Sequence, residues 1–404
     1  MVKFAIGSPV SPKELVDRKE QLDYLTSRMK SRSINYNVAV LGHRRIGKTS
    51  ILVKLEDELS RDKKFAVVYF DVQKNMAEPR IFFSRLQKAI FDTYLEKLSG
   101  LQKTSAKISK IGQFFGNLQS AIESARIKTI GAELRADGII YPKIEFGESK
   151  PNYGDLFLAV FETLKAFAEK SNIKFVVILD EFQDFEKLSR YTGLKNVFDL
   201  FRAVIQNRGD NVSYIISGSR VHLLSSILES GSSPLFTHFQ RLSITEMDEK
   251  NSIVLFNKYL KGRKLKQNDA IAKQAFQILG GQPFYLMALA EEWNPSDDLE
   301  EVFIKTLTSS VGILKNYVDY VLTEDIAIAK GGPILRTILR ALAESDEGLT
   351  YTELSHKISV PTGSLTFYVP SLIDSDLVIY QDKKLIVRDK IIRRFLKIEA
   401  SEFP

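Results

Sequence analysis

An α/β protein with a doubly wound parallel sheet, a helical region after it and a C-terminal helix-and-hairpin unit is what this 404-residue sequence predicts. Three observations lead there. Continuous apolar runs of strand length, at residues 36–41, 65–71, 174–179 and 212–216, alternate with amphipathic helical stretches. Continuous rather than alternating apolar runs belong to strands buried on both faces. From about 246 to 330 the apolar spacing is helical throughout, broken at Gly280-Gly281-Gln282-Pro283. After Gly331-Gly332-Pro333, three helical stretches (334–344, 351–358, 363–373) precede a hairpin turn at Gln381-Asp382, the order of a winged helix-turn-helix.

Taken in order, Leu15-Val16-Asp17-Arg18 opens a helix that runs to about Met29, and the first strand follows at 36–41. A helix at 48–60 leads to the second strand, and Pro79 starts a long helix to about Leu98, where its missing N–H costs nothing. Residues 99–150 are polar and glycine-containing; they read as an insertion, a helix and then a hairpin within 127–146 around Ala136-Asp137-Gly138. A helix at 153–170, the strand at 174–179, a helix near 194–207, the strand at 212–216 and a short strand at 239–244 complete the sheet. The expected domains are therefore 1–245, 246–330 and 331–404.

The strand at 36–41 runs into Gly42-His43-Arg44-Arg45-Ile46-Gly47-Lys48-Thr49, then a helix beginning at Ser50. This is G-x-x-x-x-G-K-[ST] in the strand–loop–helix setting that gives the pattern its mechanism. Glycines such as Gly42 and Gly47 let main-chain N–H groups of the loop, Arg45 and Ile46 included, converge on phosphate oxygens at a helix N-terminus. Lys48 would reach the outer phosphates, and the Thr49 hydroxyl would ligate Mg²⁺. The strand at 174–179 ends in Asp180-Glu181. Asp180 is placed to hold the metal, and Glu181, on the opposite side of the strand end, to take a proton from an attacking water. Ser217, Ser219 and Arg220 close the next strand: hydroxyls toward the outer phosphate, and a cation for the charge that develops there, or a turn with a surface arginine. Asp71 either supports the acidic pair or caps the following turn. Arg44 and Arg45 either contact phosphate or face solvent.

Composition excludes several classes. There is no cysteine, so no disulfide, thiolate metal site or cysteine nucleophile, which fits a cytoplasmic protein. The four histidines show no ligand spacing. No run of about 18 apolar residues exists, and the apolar part of the first residues is too short for a signal peptide, so no membrane association is expected. The net charge of +7 is concentrated in 250–273, where seven Lys/Arg face one acid. That stretch is either a solvated helix face or a polyanion-binding patch.

Four segments together carry a family resemblance: 15–22, the 42–49 loop, Ile178-Leu179-Asp180-Glu181-Phe182-Gln183, and Gly280-Gly281-Gln282-Pro283-Phe284. On these the chain resembles, over nearly its whole length, the archaeal ATPase family of the STAND-type P-loop NTPases, relatives of the AAA+ proteins. The resemblance implies an ASCE/AAA+-like P-loop core, a helical lid and a C-terminal winged helix. It implies that residues 15–18, Val16 and Arg18 among them, and Pro283 lie near the adenine and ribose. It also implies that Ser50 follows the loop at the phosphates and that Arg220 holds a sensor-arginine place. Asp17 stands where the family usually has glycine. The helical region shows no clear AAA+-type sensor arginine, and Pro283 would replace that contact.

The expected protein is a Mg²⁺-dependent ATPase with catalytic Glu181, Ser219 and Arg220, metal-holding Thr49 and Asp180, and a nucleotide state coupled to domain arrangement or assembly. Two alternatives stay open. One is a nucleotide-regulated duplex-DNA binder similar to origin-recognition initiators; the other is a scaffold whose winged helix docks a protein or a second copy. The stretch 362–370 carries no Lys or Arg, while 334–398 holds ten basic and eight acidic residues.

Overall fold

The computed structural model describes residues 7–31, 33–99, 129–134, 140–145, 152–328 and 332–402. Five parallel strands form the central sheet: β1 (Val38–Leu41), β2 (Phe65–Asp71), β5 (Lys174–Asp180), β6 (Val212–Gly218) and β7 (Gln240–Ser243), in the order β2-β5-β6-β1-β7. Successive side chains of a strand point to opposite faces, so a continuous apolar run supplies two cores. Val38, Val40, Val176, Ile178 and Ile215 pack under α1 (Lys19–Lys30) and α2 (Lys48–Ser60). Ala39, Leu41, Val68, Phe175, Val177 and Leu179 pack under α4 (Pro79–Ser99), α5 (Tyr153–Ser171) and α6 (Val197–Gln206). This second core is aromatic-rich, with Phe82 edge-on to Phe70, Phe83 and Phe185 at 5.3–5.6 Å.

The long apolar runs fold as the sequence predicts. Between α4 and α5, the antiparallel hairpin β3 (Thr129–Leu134) and β4 (Ile140–Glu145) stands where alternation predicts one. The helix expected ahead of it lies outside the described residues. Four connections differ from expectation. The first helix starts at Lys19 instead of Leu15, because Asp17 and Arg18 both take left-handed φ values, 64° and 72°. Asp is among the few non-glycine residues that tolerate this region, which accounts for Asp17 at a position where glycine is usual. A short helix, α3 (Val72–Asn75), follows β2, capped by the Asp71 carboxylate on the Lys74 N–H at 2.8 Å. A 3₁₀ segment (Phe182–Arg190) follows β5, and α7 (Val221–Glu229) follows β6.

Five helices come next: α8 (Glu249–Gly262), α9 (Asp269–Leu279), α10 (Pro283–Glu292), α11 (Leu299–Thr308) and α12 (Ile313–Ile328). The C-terminal part is α13 (Pro333–Ala343), α14 (Tyr351–Ile358), α15 (Thr362–Asp374), the hairpin β8 (Val378–Gln381) and β9 (Lys384–Val387), and α16 (Lys390–Glu402). Three helices and a hairpin, with Leu349 bridged to Leu385, match the element order predicted there; α16 adds a helix that the sequence reading had not placed. One apolar cluster runs from Met247 to Leu396 and takes in Val16, so the N-terminal lead-in is sealed to the helical region.

The Gly280-Gly281-Gln282-Pro283 interruption fastens that region to the sheet. Gly280 ends α9 at φ 75°, and Pro283 opens α10 at its first turn. The Gly281 carbonyl accepts the Met247 N–H at 2.8 Å, an approach so close that a Cβ would sit 1.8 Å from the Met247 carbonyl oxygen. Gly281→Ala is therefore expected to destabilise the fold by about 2–4 kcal/mol in chemical denaturation, by forcing backbone apart. Gly363→Ala, where a Cβ meets nothing within 4 Å, is the control and should be neutral or slightly stabilising. Equal stability of both variants would contradict the packing account.

Candidate nucleotide site

The 42–49 loop leaves the C-terminal end of β1, which lies between β6 and β7. Its shape depends on two backbone features. A Cβ on Gly42 would lie 2.8 Å from the Ile244 carbonyl oxygen, so only glycine lets the loop cross β7 at that height. Gly47 takes φ 102° and Arg45 φ 61°, which turns the main chain into the start of α2. The result faces a cleft of about 340 Å³, the size of a small-molecule site. Gly47, Lys48, Thr49 and Ser50 line its floor, with Glu181 and Ser219 at one end. Val16, Met247, Pro283, Phe284 and Met287 supply apolar lining, with Arg18 beside them. The segment at Gly7–Val10 lies over the cleft, with the Val10 N–H donating to Ser50 Oγ at 3.2 Å.

Lys48 is buried, and burial lowers its pKa, while Glu181 and Asp180 pull it back up. Its Nζ donates to the His43 carbonyl at 3.0 Å. Thr49 Oγ1 donates to Asp180 Oδ2 at 2.9 Å. The same carboxylate also accepts from the hydroxyls of Tyr69 and Ser217, and from the Glu181 N–H at 3.0 Å. Tyr69, raised well above the usual phenol range by burial and by Asp180, stays a neutral phenol that donates to the carboxylate. Glu181 takes a left-handed φ of 52°, which directs its side chain away from Asp180 into the cleft. Its Oε2 accepts from the Ser219 N–H at 3.0 Å, Ser219 Oγ at 2.7 Å and Gln183 Nε2 at 2.6 Å.

These residues fit a magnesium ion held mainly by phosphate and water. The donors are hard oxygens: the Thr49 hydroxyl lies on the cleft floor, and the Asp180 carboxylate behind it is held by Thr49, Tyr69, Ser217 and the Glu181 N–H instead of opening onto the cleft. That arrangement suits an ion approached through water. Among the described residues no group of three or more His, Asp or Glu could form an all-protein cage.

Most sequence-derived candidates converge here: Thr49 with Asp180, Glu181 with Ser219, and Val16, Arg18, Ser50 and Pro283 around the same cleft. Ile46 is buried beneath the loop, and its carbonyl receives Arg18 Nη2 at 3.2 Å. Arg220 is placed elsewhere. It begins α7, where consecutive residues diverge: Ser219 reaches Glu181, while Arg220 lines a second cavity of about 170 Å³ behind the loop, near Asp325. Sequence reasoning missed Tyr69 and Gln183. Tyr69 sits two residues before the end of β2, opposite Ile178, and that pairing register was the only signal for it.

A cleft at the C-terminal ends of parallel strands, floored by such a loop, defines the class of P-loop nucleotide-binding proteins. Residues 15–289 match the family described as an ATPase domain predominantly from Archaea, and the chain belongs to that family. It is an ATPase. No curated protein matches it. Among solved structures, it is similar to the Walker-type ATPase of Pyrococcus abyssi, at 18% identity and TM-score 0.66 over 96% of this chain and 97% of that one. It is also similar to the Aeropyrum pernix ORC2 protein, solved in ADPNP and ADP complexes, at 12% identity and TM-score 0.57 over 97% and 96%. No helix among the described residues is long and apolar enough to cross a membrane.

His43 gives the loop a measurable pH signature. Burial first, then the Arg388 and Lys48 cations, lower its pKa from 6.5 to about 3. The unfolded chain therefore binds a proton that the folded chain refuses. This residue's contribution is complete above the unfolded value and is lost as pH falls toward the folded one. His43→Gln is expected to lose thermal stability less steeply than the parent between about pH 7 and pH 4. Superimposable pH profiles would contradict the burial of a neutral ring.

Proposed function

We propose that the protein is a Mg²⁺-dependent ATPase switch whose nucleotide state alters how the helical region and the C-terminal unit sit on the sheet. One observation carries this reading: the loop at 42–49, the Thr49–Asp180 pair and Glu181 meet at one cleft whose other wall is α10 and α12. Phosphates would take the loop N–H groups and the N-terminus of α2, with Lys48 turning from the His43 carbonyl toward them. Magnesium, when bound, neutralises phosphate charge as it shifts toward the leaving oxygen. Thr49 would bind it directly and Asp180 through water. Glu181 would orient and deprotonate the attacking water through Oε1, because Ser219 and Gln183 hold Oε2. The base and ribose would lie against Val16, Met287 and Pro283.

Lys48→Ala is expected to abolish ADP binding measured by calorimetry, while Glu181→Gln keeps binding and lowers turnover at least about tenfold. Unchanged turnover in Glu181→Gln would sink the assignment of the base.

The duplex-DNA reading is less well supported than a docking role for the C-terminal unit. Helix α15 offers no Lys or Arg, and beside its C-terminal end Asp374 pairs with His222 of α7 at 3.1 Å. Three cations around the hairpin are engaged: Lys384 with Glu347, Arg388 with Asp376, and Lys397 with Asp346 at 2.6–3.2 Å. In the basic stretch Lys258 pairs with Glu14 and Lys273 with Glu249, both at 3.0 Å, and Arg263 holds the Ala290 and Trp293 carbonyls. Phe367 on α15 and Tyr380 on β8 are large exposed aromatic side chains instead, which supports contact with a protein partner or a second copy. Gel-shift titration with duplex DNA should show no binding tighter than the non-specific range at about 150 mM salt. Tight binding that weakens steeply with salt would reinstate the DNA reading.

A further inference from the structure

The nucleotide loop has two sides. Its main chain faces the cleft, but three of its side chains, His43, Arg44 and Arg45, reach the C-terminal half. The His43 ring meets the guanidinium of Arg388, which follows β9. Arg388 also pairs with Asp376 at 2.8 Å, and Asp376 accepts the His222 N–H of α7 at 3.3 Å. Arg44 pairs with Asp325 of α12 at 3.0 Å, and its carbonyl receives Gln282 Nε2 at 3.3 Å. The Arg45 guanidinium lies 4.3 Å over the Phe284 ring and 4.9 Å over Tyr317. The tethers come from three segments: the hairpin unit, α12, and the start of α10.

We propose that the C-terminal half positions the nucleotide loop through these side chains, with Arg388 and Asp325 as positioning residues, so that nucleotide affinity and docking of the C-terminal unit are coupled. The proposal rests on the ATP-binding reading of the cleft and names the contacts through which the switch would act. Residues 43–45 are one short stretch of backbone, and holding their side chains fixes where their N–H groups point. The Asp325 side chain is 4% exposed, so the partner of Arg44 is a buried carboxylate with few alternative arrangements. Its acid is pushed up by burial and drawn back by Arg44, then Arg220. His43 links the two sides: Arg388 holds its ring, and its carbonyl holds Lys48, the side chain that must move when phosphate arrives. Coupling of this kind is reciprocal, so the factor that docking adds to nucleotide affinity is the factor that nucleotide adds to docking.

The test uses the full chain, Arg388→Ala and Asp325→Asn. Lys384→Ala is the control, a cation of the same hairpin that pairs with Glu347 instead of the loop. Calorimetry with ADP and Mg²⁺ is combined with hydrogen exchange over residues 376–394, with and without ADP. ADP affinity is expected to fall by about fivefold or more in Arg388→Ala and Asp325→Asn, and to stay unchanged in the control. ADP should also protect 376–394 in the parent and the control but not in Arg388→Ala. Asp325→Asn keeps the side-chain shape and so guards against misfolding of the alanine variant. If the parent binds ADP and both variants match it in affinity and protection, the proposal is overturned while the nucleotide site stands. If the parent itself does not bind ADP, the reading of the cleft fails, and the proposal falls with it.

Discussion

A single buried carboxylate organises the site. Asp180 ends β5 and accepts from Tyr69 on β2, Ser217 on β6 and Thr49 at the start of α2, which follows β1. Four of the five sheet strands thus converge on one side chain that is 2% exposed. A carboxylate can be buried only if its acceptor directions are filled, and here they are filled from β2, from β6, from the start of α2 and by the Glu181 N–H. The strand ends are therefore in register with one another for an electrostatic reason as well as through the backbone ladder. Thr49 is brought to the cleft floor by the same bond. Glu181, the next residue, is forced by its left-handed backbone to the opposite side, where Ser219 and Gln183 fix its orientation.

Around that fixed junction the loop at 42–49 is shared between two halves of the protein. Its main chain belongs to the sheet, through Gly42 against Ile244 and the Lys48 bond to His43. Its side chains belong to the C-terminal half. The division gives the loop's charged side chains buried or aromatic partners, Asp325 for Arg44 and the Phe284 and Tyr317 rings for Arg45. It also connects the helical region to the loop. The contact runs through Arg44, Arg45 and Gln282, beside Pro283.

The sheet, its strand ends and the cleft were legible in the sequence because both depend on local patterns. Buried parallel strands leave continuous apolar runs, and Asp180-Glu181 lies directly after one of them. The element order of the C-terminal unit was legible for the same reason. What could not be read depends on pairs distant in sequence. His43 and Arg388 are separated by 345 positions and Arg44 and Asp325 by 281, and no spacing rule joins them. The 3₁₀ segment after β5 turns Phe182, Phe185 and Leu188, spaced three apart, into the aromatic core; that period differs from the α-helical one and spans too few residues to stand out. The direction of Arg220 was decided by the turn into α7, and a one-residue offset there separates the nucleotide cleft from the cavity behind it.

The central claim is that the main chain of 42–49 and the Asp180 junction together receive a nucleotide's phosphates. The most direct measurement is a crystal structure of the full chain with Mg²⁺ and a non-hydrolysable ATP analogue. The account places the phosphates inside the loop, Lys48 Nζ released from the His43 carbonyl onto them, and the ion between Thr49 and a water held by Asp180. An analogue bound outside this cleft, or one inside it with Lys48 still on the His43 carbonyl, would contradict it.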